Sequence, residues 1–255
     1  MAAPRYVDLP TTDFGRLSDD TVFVLPLGAI EQHGPHLPVS TDFTVADMTA
    51  DAAVEAAAAA GVPALLLPTL AFTKSDEHSR FPGSIWLDWD TMMRTLIDIG
   101  RSLAATSASR LVFVNGHGGN SAIAQVACRE LRKQFGLRTF LTGPYSGMDF
   151  SLSPASERGM SVHAMYLETS LMLHLRPDLV HMEHAAACVP EALLDFEHIG
   201  FNRKASFGWL ADDLSDSGVI GDPTAATAAV GKDLYESAVT HLSAVIAEAS
   251  RFRTR

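Results

Sequence analysis

Four short apolar runs, each bounded by glycine or proline, constrain the fold of this chain more than any other feature. The runs occupy residues 22–28, 62–68, 110–116 and 137–143. The stretches between them have helical character over residues 44–60, 90–107 and 121–135. Short apolar runs of this kind are typical of strands that are buried on both faces. Because such runs alternate with helices, the sequence predicts a layered α/β fold with a mainly parallel sheet flanked by helices.

The second half of the chain is less regular. Two further helices are predicted, at 162–175 before Pro177 and at 223–249, where a proline begins the helix. Residues 176–222 have the composition of loops and short pieces, with neither a clear linker nor a repeat. A length of 255 residues suits one α/β domain, so we expect a single domain over residues 1–255.

Composition narrows the classes of function. The chain has 47% hydrophobic and 19% charged residues, as in ordinary globular proteins, and its net charge of -11 argues against binding nucleic acid. No run approaches the ~20 apolar residues of a membrane helix, and the first residues lack a targeting pattern. We therefore expect a cytoplasmic protein without a membrane partner. Cys128 and Cys188 have neither disulfide nor zinc-ribbon spacing.

Polar segments follow the first three predicted strands. Their sequences are EQHGPH, TKSDEHSRFPGS and NGHGGN. In open α/β sheets, ligands bind beyond the carboxyl ends of the strands, so these three segments are predicted to converge on one crevice. The sequence has no GxSxG elbow, and Cys128 lies within a predicted helix. A serine or cysteine nucleophile therefore has little support.

The first polar segment contains groups that bind metal ions. Glu31 and His33 are two residues apart, so in extended chain their side chains point to one side and can share an ion or two adjacent ions. Asp42 follows just before a predicted helix, where it either caps the helix or bridges metals, and the sequence favours neither role. His36 lies beside a proline, and we expect it to pack or to orient a ligand rather than to bind metal.

The NGHGGN segment has two interpretations. Glycines between a strand and a helix can cradle a phosphate on backbone amides, but a dinucleotide fingerprint starting at Gly116 needs a glycine where this chain has Ser121. We therefore favour His117 as a metal ligand that small neighbours allow to approach an ion closely. Asn115 and Asn120 are expected to hold the loop in place through hydrogen bonds.

Glu168 lies among apolar residues of the predicted helix 162–175. A buried carboxylate is costly without a cation or hydrogen-bond donors, so a buried Glu168 implies a partner. A solvent-facing glutamate on an amphipathic helix is the alternative, and the helix pattern alone favours it. Met165 and Met172 are expected to pack in the core.

Five segments together resemble the creatininase family of metal-dependent amidohydrolases over nearly the full length. They are, in order, PLGAIEQHGPHLPVSTD, SDEHSRFPGS, NGHGGN, HAMYLETSLML and SGVIGDPTAAT. The resemblance implies a site with two divalent ions, usually zinc, manganese or iron, bridged by an aspartate, and association into homo-oligomers such as hexamers. The metal ligands that it implies are Glu31, His33, Asp42, His117 and Glu168.

The chain departs from creatinine-hydrolysing members of this family. Those members carry a glutamate at the position of Gly119, which makes Glu168 the expected replacement ligand. They also carry a tryptophan and a histidine at the positions of Met165 and Thr169, so creatinine is doubtful as the substrate. The expected substrate is another small cyclic or linear amide.

The expected reaction is hydrolysis of an amide C–N bond by a water molecule that the two ions activate as hydroxide. The leaving nitrogen needs a proton, which Glu77, His78 or His163 could deliver, and we favour the loop of Glu77 and His78. Within the family, a formamide deformylase and a mycofactocin-type peptidase of a precursor peptide are alternatives. A nucleotide-binding protein and a metal-binding protein without catalysis are alternatives of other classes.

Overall fold

A computed structural model describes residues 2–148, 152–201 and 203–253 of the chain. The strands within these ranges are β1 (Val22–Leu27), β2 (Ala64–Leu66), β3 (Arg110–Asn115) and β4 (Arg138–Thr142). The α-helices are α1 (Thr11–Phe14), α2 (Thr41–Ala59), α3 (Trp89–Leu103), α4 (Ser121–Phe135), α5 (Tyr166–Leu175) and α6 (Ala228–Arg251). No helix in the described part is both long and apolar enough to cross a membrane.

The four strands form one parallel sheet in the order β2-β1-β3-β4. Val22 of β1 pairs with Ala64 of β2 on one side and with Arg110 of β3 on the other. The chain therefore leaves β1 towards β2 and returns across β1 to form β3. The carboxyl ends of β1 and β3 consequently lie at the point where the strand order reverses, which is where open α/β sheets bind ligands. The predicted α/β fold is confirmed.

Alternate side chains along β1 pack against helices on opposite faces of the sheet. Phe23, Leu25 and Leu27 of β1 share a buried cluster with residues of α3 and α4. Val22 and Val24 share another cluster with residues of α2 and α6. Since successive side chains of a strand point to opposite faces, one run can supply both cores. The edge strand β4 is only half-buried along its length, in contrast to the prediction that all four runs are fully buried.

Helix α5 begins at Tyr166, later than predicted. His163 instead pairs with Ile220 in an antiparallel bridge, and Ala164 has a φ of 51°, which is incompatible with a right-handed helix. Helix α6 also begins later than predicted, at Ala228, because the hydroxyl of Thr227 accepts a hydrogen bond from the backbone of Val230 and caps the helix there.

The close contact between α5 and α6 depends on Gly231. A Cβ atom at this position would lie 1.8 Å from the backbone carbonyl oxygen of Ser170 in α5. We predict that Gly231→Ala lowers the free energy of unfolding by about 1–3 kcal/mol, because the two helices must separate. Thermal and urea unfolding measure the change. Gly15→Ala is the control, since nothing lies within 4 Å of a Cβ there; equal stability of the two variants would contradict the prediction.

Candidate metal centre

A cavity of ≈ 870 Å³ opens at the carboxyl ends of β1 and β3. The segments after β1, β2 and β3 all contribute to its wall. The structure therefore brings together the three polar segments that the sequence analysis placed at one crevice. The predicted metal ligands Glu31, Asp42, His117 and Glu168 are buried and line this cavity. His33 is buried behind the lining, in contact with Asp42.

His33 faces Asp42 through Nε2, and a backbone contact of the other ring nitrogen fixes this orientation. Its Nδ1 lies 3.1 Å from the backbone oxygen of Glu31 and must donate to it, because a carbonyl oxygen only accepts. In the neutral ring, Nε2 then has a lone pair. This atom lies 3.3 Å from Oδ1 of Asp42, so an acceptor faces a carboxylate oxygen.

His117 is arranged in the same way. Its Nε2 donates to the backbone oxygen of Lys74 at 2.9 Å, which leaves Nδ1 with the lone pair. Nδ1 lies 3.0 Å from Oδ2 of Asp42 and 3.3 Å from Oε1 of Glu31. The amide of Asn115 donates to the backbone oxygen of His117 at 2.7 Å, and that of Asn120 donates to Gly28 at 3.2 Å. The two asparagines thus hold the loop, as the sequence predicted.

Asp42 lies in the first turn of α2, and its two oxygens point to different histidines. Helix α2 approaches β3 closely, because a Cβ at Gly116 would lie 2.9 Å from the backbone oxygen of Asp42. Oδ2 of Asp42 has no hydrogen-bond partner among the described residues. The position suits a bridge between two ions better than a helix cap.

Glu168 is buried in the first turn of α5, with 6% of its surface exposed. The solvent-facing alternative is therefore wrong. Its Oε2 accepts a hydrogen bond from the backbone of Met165 at 3.3 Å. The late start of α5 explains this placement, since the extended residues before Tyr166 turn the first helical residues towards the cavity.

The donor set fits two metal ions that share Asp42. Two groups contain Asp42: Glu31, Asp42 and His117 form one, and His33, Asp42 and Glu168 form the other. A third group, Glu31, His33 and His163, lies beside them, and within each group the ligand atoms lie within 4.8 Å of one another. Within the described ranges, neither carboxylate oxygen of Glu31 has a hydrogen-bond partner. Buried acceptors that face each other without a donor require a cation between them.

The pKa values of these groups reflect the same requirement. Burial and the neighbouring charge of Asp42 raise the pKa of Glu31, to about 7. Burial opposes a charged His33, but Asp42 reverses the effect and raises the pKa of His33 to about 9. Burial likewise raises the pKa of Glu168 to about 7. Without metal, protons supply the positive charge that the carboxylates need.

His36 lies outside these groups. Its Nε2 is 2.9 Å from the hydroxyl of Thr169, one residue beyond Glu168. Burial lowers the pKa of His36 to about 4, so its ring stays neutral. Both side chains are buried, and neither lines the cavity. This geometry agrees with the expectation that His36 orients its surroundings rather than binding metal.

His78 and His163, two of the predicted catalytic residues, line the cavity beside Glu31. The amide nitrogen of Gln32 donates to Nδ1 of His78 at 2.9 Å, so the hydrogen of His78 is on Nε2, 3.4 Å from Oε1 of Glu31. His163 has the opposite tautomer: its Nε2 donates to the backbone oxygen of Gln32 at 2.6 Å, and Nδ1 faces Glu31 at 3.6 Å.

Glu77, the third predicted catalytic residue, is held by two partners. Its Oε2 lies 2.5 Å from Nζ of Lys74, and its Oε1 lies 3.4 Å from Nε2 of His117. Burial works against the charge of Glu77, but hydrogen bonding to His117 and the ammonium of Lys74 lower its pKa to about 2. Glu77 is therefore ionised at neutral pH.

Several cavity residues were missed by the sequence analysis. Gln32 supports His78 from behind the cavity wall, and this contact depends on a loop folding back, which the local sequence does not reveal. Tyr145 follows β4, and Phe207 and Trp209 come from the irregular segment 176–222. The carboxyl end of the fourth predicted strand was the one available signal, and it pointed to Tyr145.

Comparison with known proteins identifies the family. A family model described as creatinine amidohydrolase matches residues 8–246. The chain belongs to the creatininase family. This membership confirms the resemblance and the predicted enzyme class, a metal-dependent amidohydrolase that acts on amide C–N bonds.

Relatives of this creatininase-family chain differ in the substrates that they are named for. The Mycofactocin precursor peptide peptidase of Mycolicibacterium smegmatis is 36% identical over 217 residues, covering 85% of this chain and 80% of that protein. The Creatinine amidohydrolase of Pseudomonas putida is 36% identical over 177 residues, covering 64% of this chain and 68% of that protein.

Solved structures of the family match this fold and contain metals. "Creatininase Mn" has a TM-score of 0.74 and 27% identity, and the match covers 96% of this chain and 98% of that chain. A creatininase variant of Zn-Zn type has a TM-score of 0.72 and 27% identity, with 95% and 96% covered.

The two histidines of the first polar segment provide a test of the ligand assignment. We predict that metal-loaded His33→Ala loses about one ion per chain, because Nε2 of His33 belongs to one of the two groups, whereas His36→Ala keeps both ions with weaker binding. Elemental analysis after gel filtration measures the metal content. A loss in His36→Ala that His33→Ala does not show would reverse the assignment.

Proposed function

We propose that this chain hydrolyses an amide bond at a centre of two divalent ions. The ligands are Glu31, His33, Asp42, His117 and Glu168. The supporting observation is that Nε2 of His33, Oδ2 of Asp42 and both carboxylate oxygens of Glu31 are buried and have no hydrogen-bond partner among the described residues. When bound, two such ions would lower the pKa of a water molecule and polarise the amide carbonyl.

The neighbouring histidines suit complementary tasks. Nδ1 of His163 has a lone pair at the cavity, so it can accept a proton from the attacking water and pass it to the leaving nitrogen. Nε2–H of His78 points to the same region and can donate a hydrogen bond to the substrate carbonyl as it gains negative charge. We prefer His163 to Glu77 for the proton transfer, because both oxygens of Glu77 already have partners in Lys74 and His117.

The role of His163 predicts a split between kinetics and metal content. His163→Gln should lower kcat at least 10²-fold with little change in KM, because glutamine cannot relay a proton. Metal content should stay at the wild-type value. Steady-state kinetics with elemental analysis tests this, and full activity in the variant would rule out the proposed relay.

We further propose that the substrate is an amide at the end of a short peptide or a peptide-like molecule. The cavity of ≈ 870 Å³ is within the range of pockets for ligands much larger than creatinine, roughly 300–1,000 Å³. Phe207 and Trp209 provide an aromatic wall, and Met165 adds apolar surface. The similarity to a precursor peptide peptidase supports this choice over a small lactam or a formamide.

The geometry also weakens the recognition of creatinine. Thr169, at the position where creatinine-hydrolysing relatives have a histidine, is buried against His36 and does not reach the cavity. A nucleotide is disfavoured as well, because the NGHGGN loop directs its histidine at the carboxylates of Glu31 and Asp42, which is the arrangement of a metal ligand.

The proposal also includes the kind of metal, the association state and the cellular location. Two imidazoles and three carboxylates suit zinc, manganese or iron. The chain is proposed to act as one domain within a homo-oligomer, which the exposed apolar side chains of Phe72, Ile85 and Trp89 support. A cytoplasmic location is supported by Cys128 and Cys188, which are both free thiols. Light scattering of the purified protein tests the oligomer.

The substrate proposal is tested by assay of one preparation against three classes of amide. We expect zinc- or manganese-loaded protein to release the terminal residue of short peptides with an aromatic or apolar end. Creatinine should react at least ~10²-fold more slowly in kcat/KM, because its recognition groups are absent. Activity should disappear with chelator and return with metal. Creatinine or N-formyl amines as the best substrates would contradict the peptide proposal, and no turnover of any amide would support metal binding without catalysis.

A further inference from the structure

The side chain of Glu77 occupies the space beside Gly119. A Cβ atom at Gly119 would lie 2.0 Å from Oε1 of Glu77 and 2.4 Å from Nε2 of His117. A larger residue at position 119 therefore cannot coexist with the present position of Glu77. The loop after β2 thus places a carboxylate against the loop after β3, and glycine makes the space for it.

The contacts of Glu77 converge on one edge of the His117 ring. Nε2 of His117 lies 2.9 Å from the backbone oxygen of Lys74 and 3.4 Å from Oε1 of Glu77. The ammonium of Lys74 binds the other oxygen of Glu77, so one residue contacts both the histidine and the carboxylate. The opposite nitrogen of the ring, Nδ1, faces Glu31 and Asp42.

We propose that Glu77 is a positioning residue that acts through His117 and strengthens the binding of only one of the two ions. Together with the backbone oxygen of Lys74, its carboxylate holds the hydrogen of His117 on Nε2, keeps Nδ1 directed at Glu31 and Asp42, and would make Nδ1 a stronger donor to an ion bound there. The inference rests on the proposed two-ion function. Glu77 contacts His117, which belongs to the group of Glu31 and Asp42, whereas the group of His33, Asp42 and Glu168 includes neither His117 nor Glu77.

Lys74 has a supporting part in this arrangement. It neutralises Glu77, whose half-buried charge would otherwise lie unpaired beside the cavity, and it orients the carboxylate towards His117. Asp76 also binds Nζ of Lys74, at 3.0 Å, but it is partly exposed and makes no contact with His117. Asp76 is therefore a matched control, since it shares the lysine and not the histidine.

The test is a titration of metal-free protein with Zn²⁺ alone, in competition with a chromophoric chelator. In Glu77→Gln, which keeps the size of the side chain, we expect one of the two dissociation constants to rise 10- to 100-fold and the other to stay the same. Glu77→Asp keeps the charge and should show a smaller rise in the same constant. Asp76→Asn should bind both ions as the wild type does.

Combining Glu77→Gln with His117→Ala shows which of the two ions is bound more weakly when Glu77 is replaced. His117→Ala removes the ligand through which Glu77 is proposed to act, so adding Glu77→Gln should leave the affinity of the remaining ion unchanged. Circular dichroism of the metal-free variants checks the fold, and if Glu77→Gln is unfolded, the selective rise must appear in Glu77→Asp. Unchanged constants, or an equal loss of both ions, would overturn the role of Glu77. A wild-type chain that binds no zinc would instead refute the two-ion function.

Discussion

The architecture depends on the neutralisation of buried negative charge. Glu31, Asp42 and Glu168 are taken out of water on separate elements and directed at one another, an arrangement that costs several kcal/mol unless cations lie among them. The imidazole rings alone reduce the repulsion among these carboxylates only by binding protons, as the raised pKa of His33 shows. Metal ions supply more charge without using hydrogen-bond donors, so the same repulsion that strains the protein also creates its affinity for metal.

The sheet makes this concentration of charge possible. Its parallel strands bring the segments after β1 and β3 side by side, and the start of α2 enters between them with Asp42. Helix α5 adds Glu168 from the other side, held by its close packing on α6. Each proposed ligand therefore lies on or next to a regular element, which limits the freedom of its side chain.

Local patterns were sufficient to predict the sheet and the convergence of polar side chains from the first and third segments at one of its edges. The apolar runs determine the strands, and the glycines and asparagines around His117 determine its loop. The start of α5 could not be predicted, because it depends on the pairing of His163 with Ile220, which is distant in sequence. The helix pattern alone favoured a solvent-facing Glu168 for the same reason. Helix periodicity does not reveal which part of the protein the first turn faces. The contacts of Gln32 and Glu77 likewise form only when separate loops meet.

The irregular segment that contains Phe207 and Trp209 forms a wall of the cavity but contributes none of the proposed ligands. Insertions or replacements in such a segment change the shape of the cavity without disturbing the sheet or the cluster of carboxylates. A lineage that retains the ligand cluster can therefore exchange one amide for another through drift in a few loop residues. Because the cavity wall and the proposed ligands lie on different segments, one family can include enzymes that act on different amides.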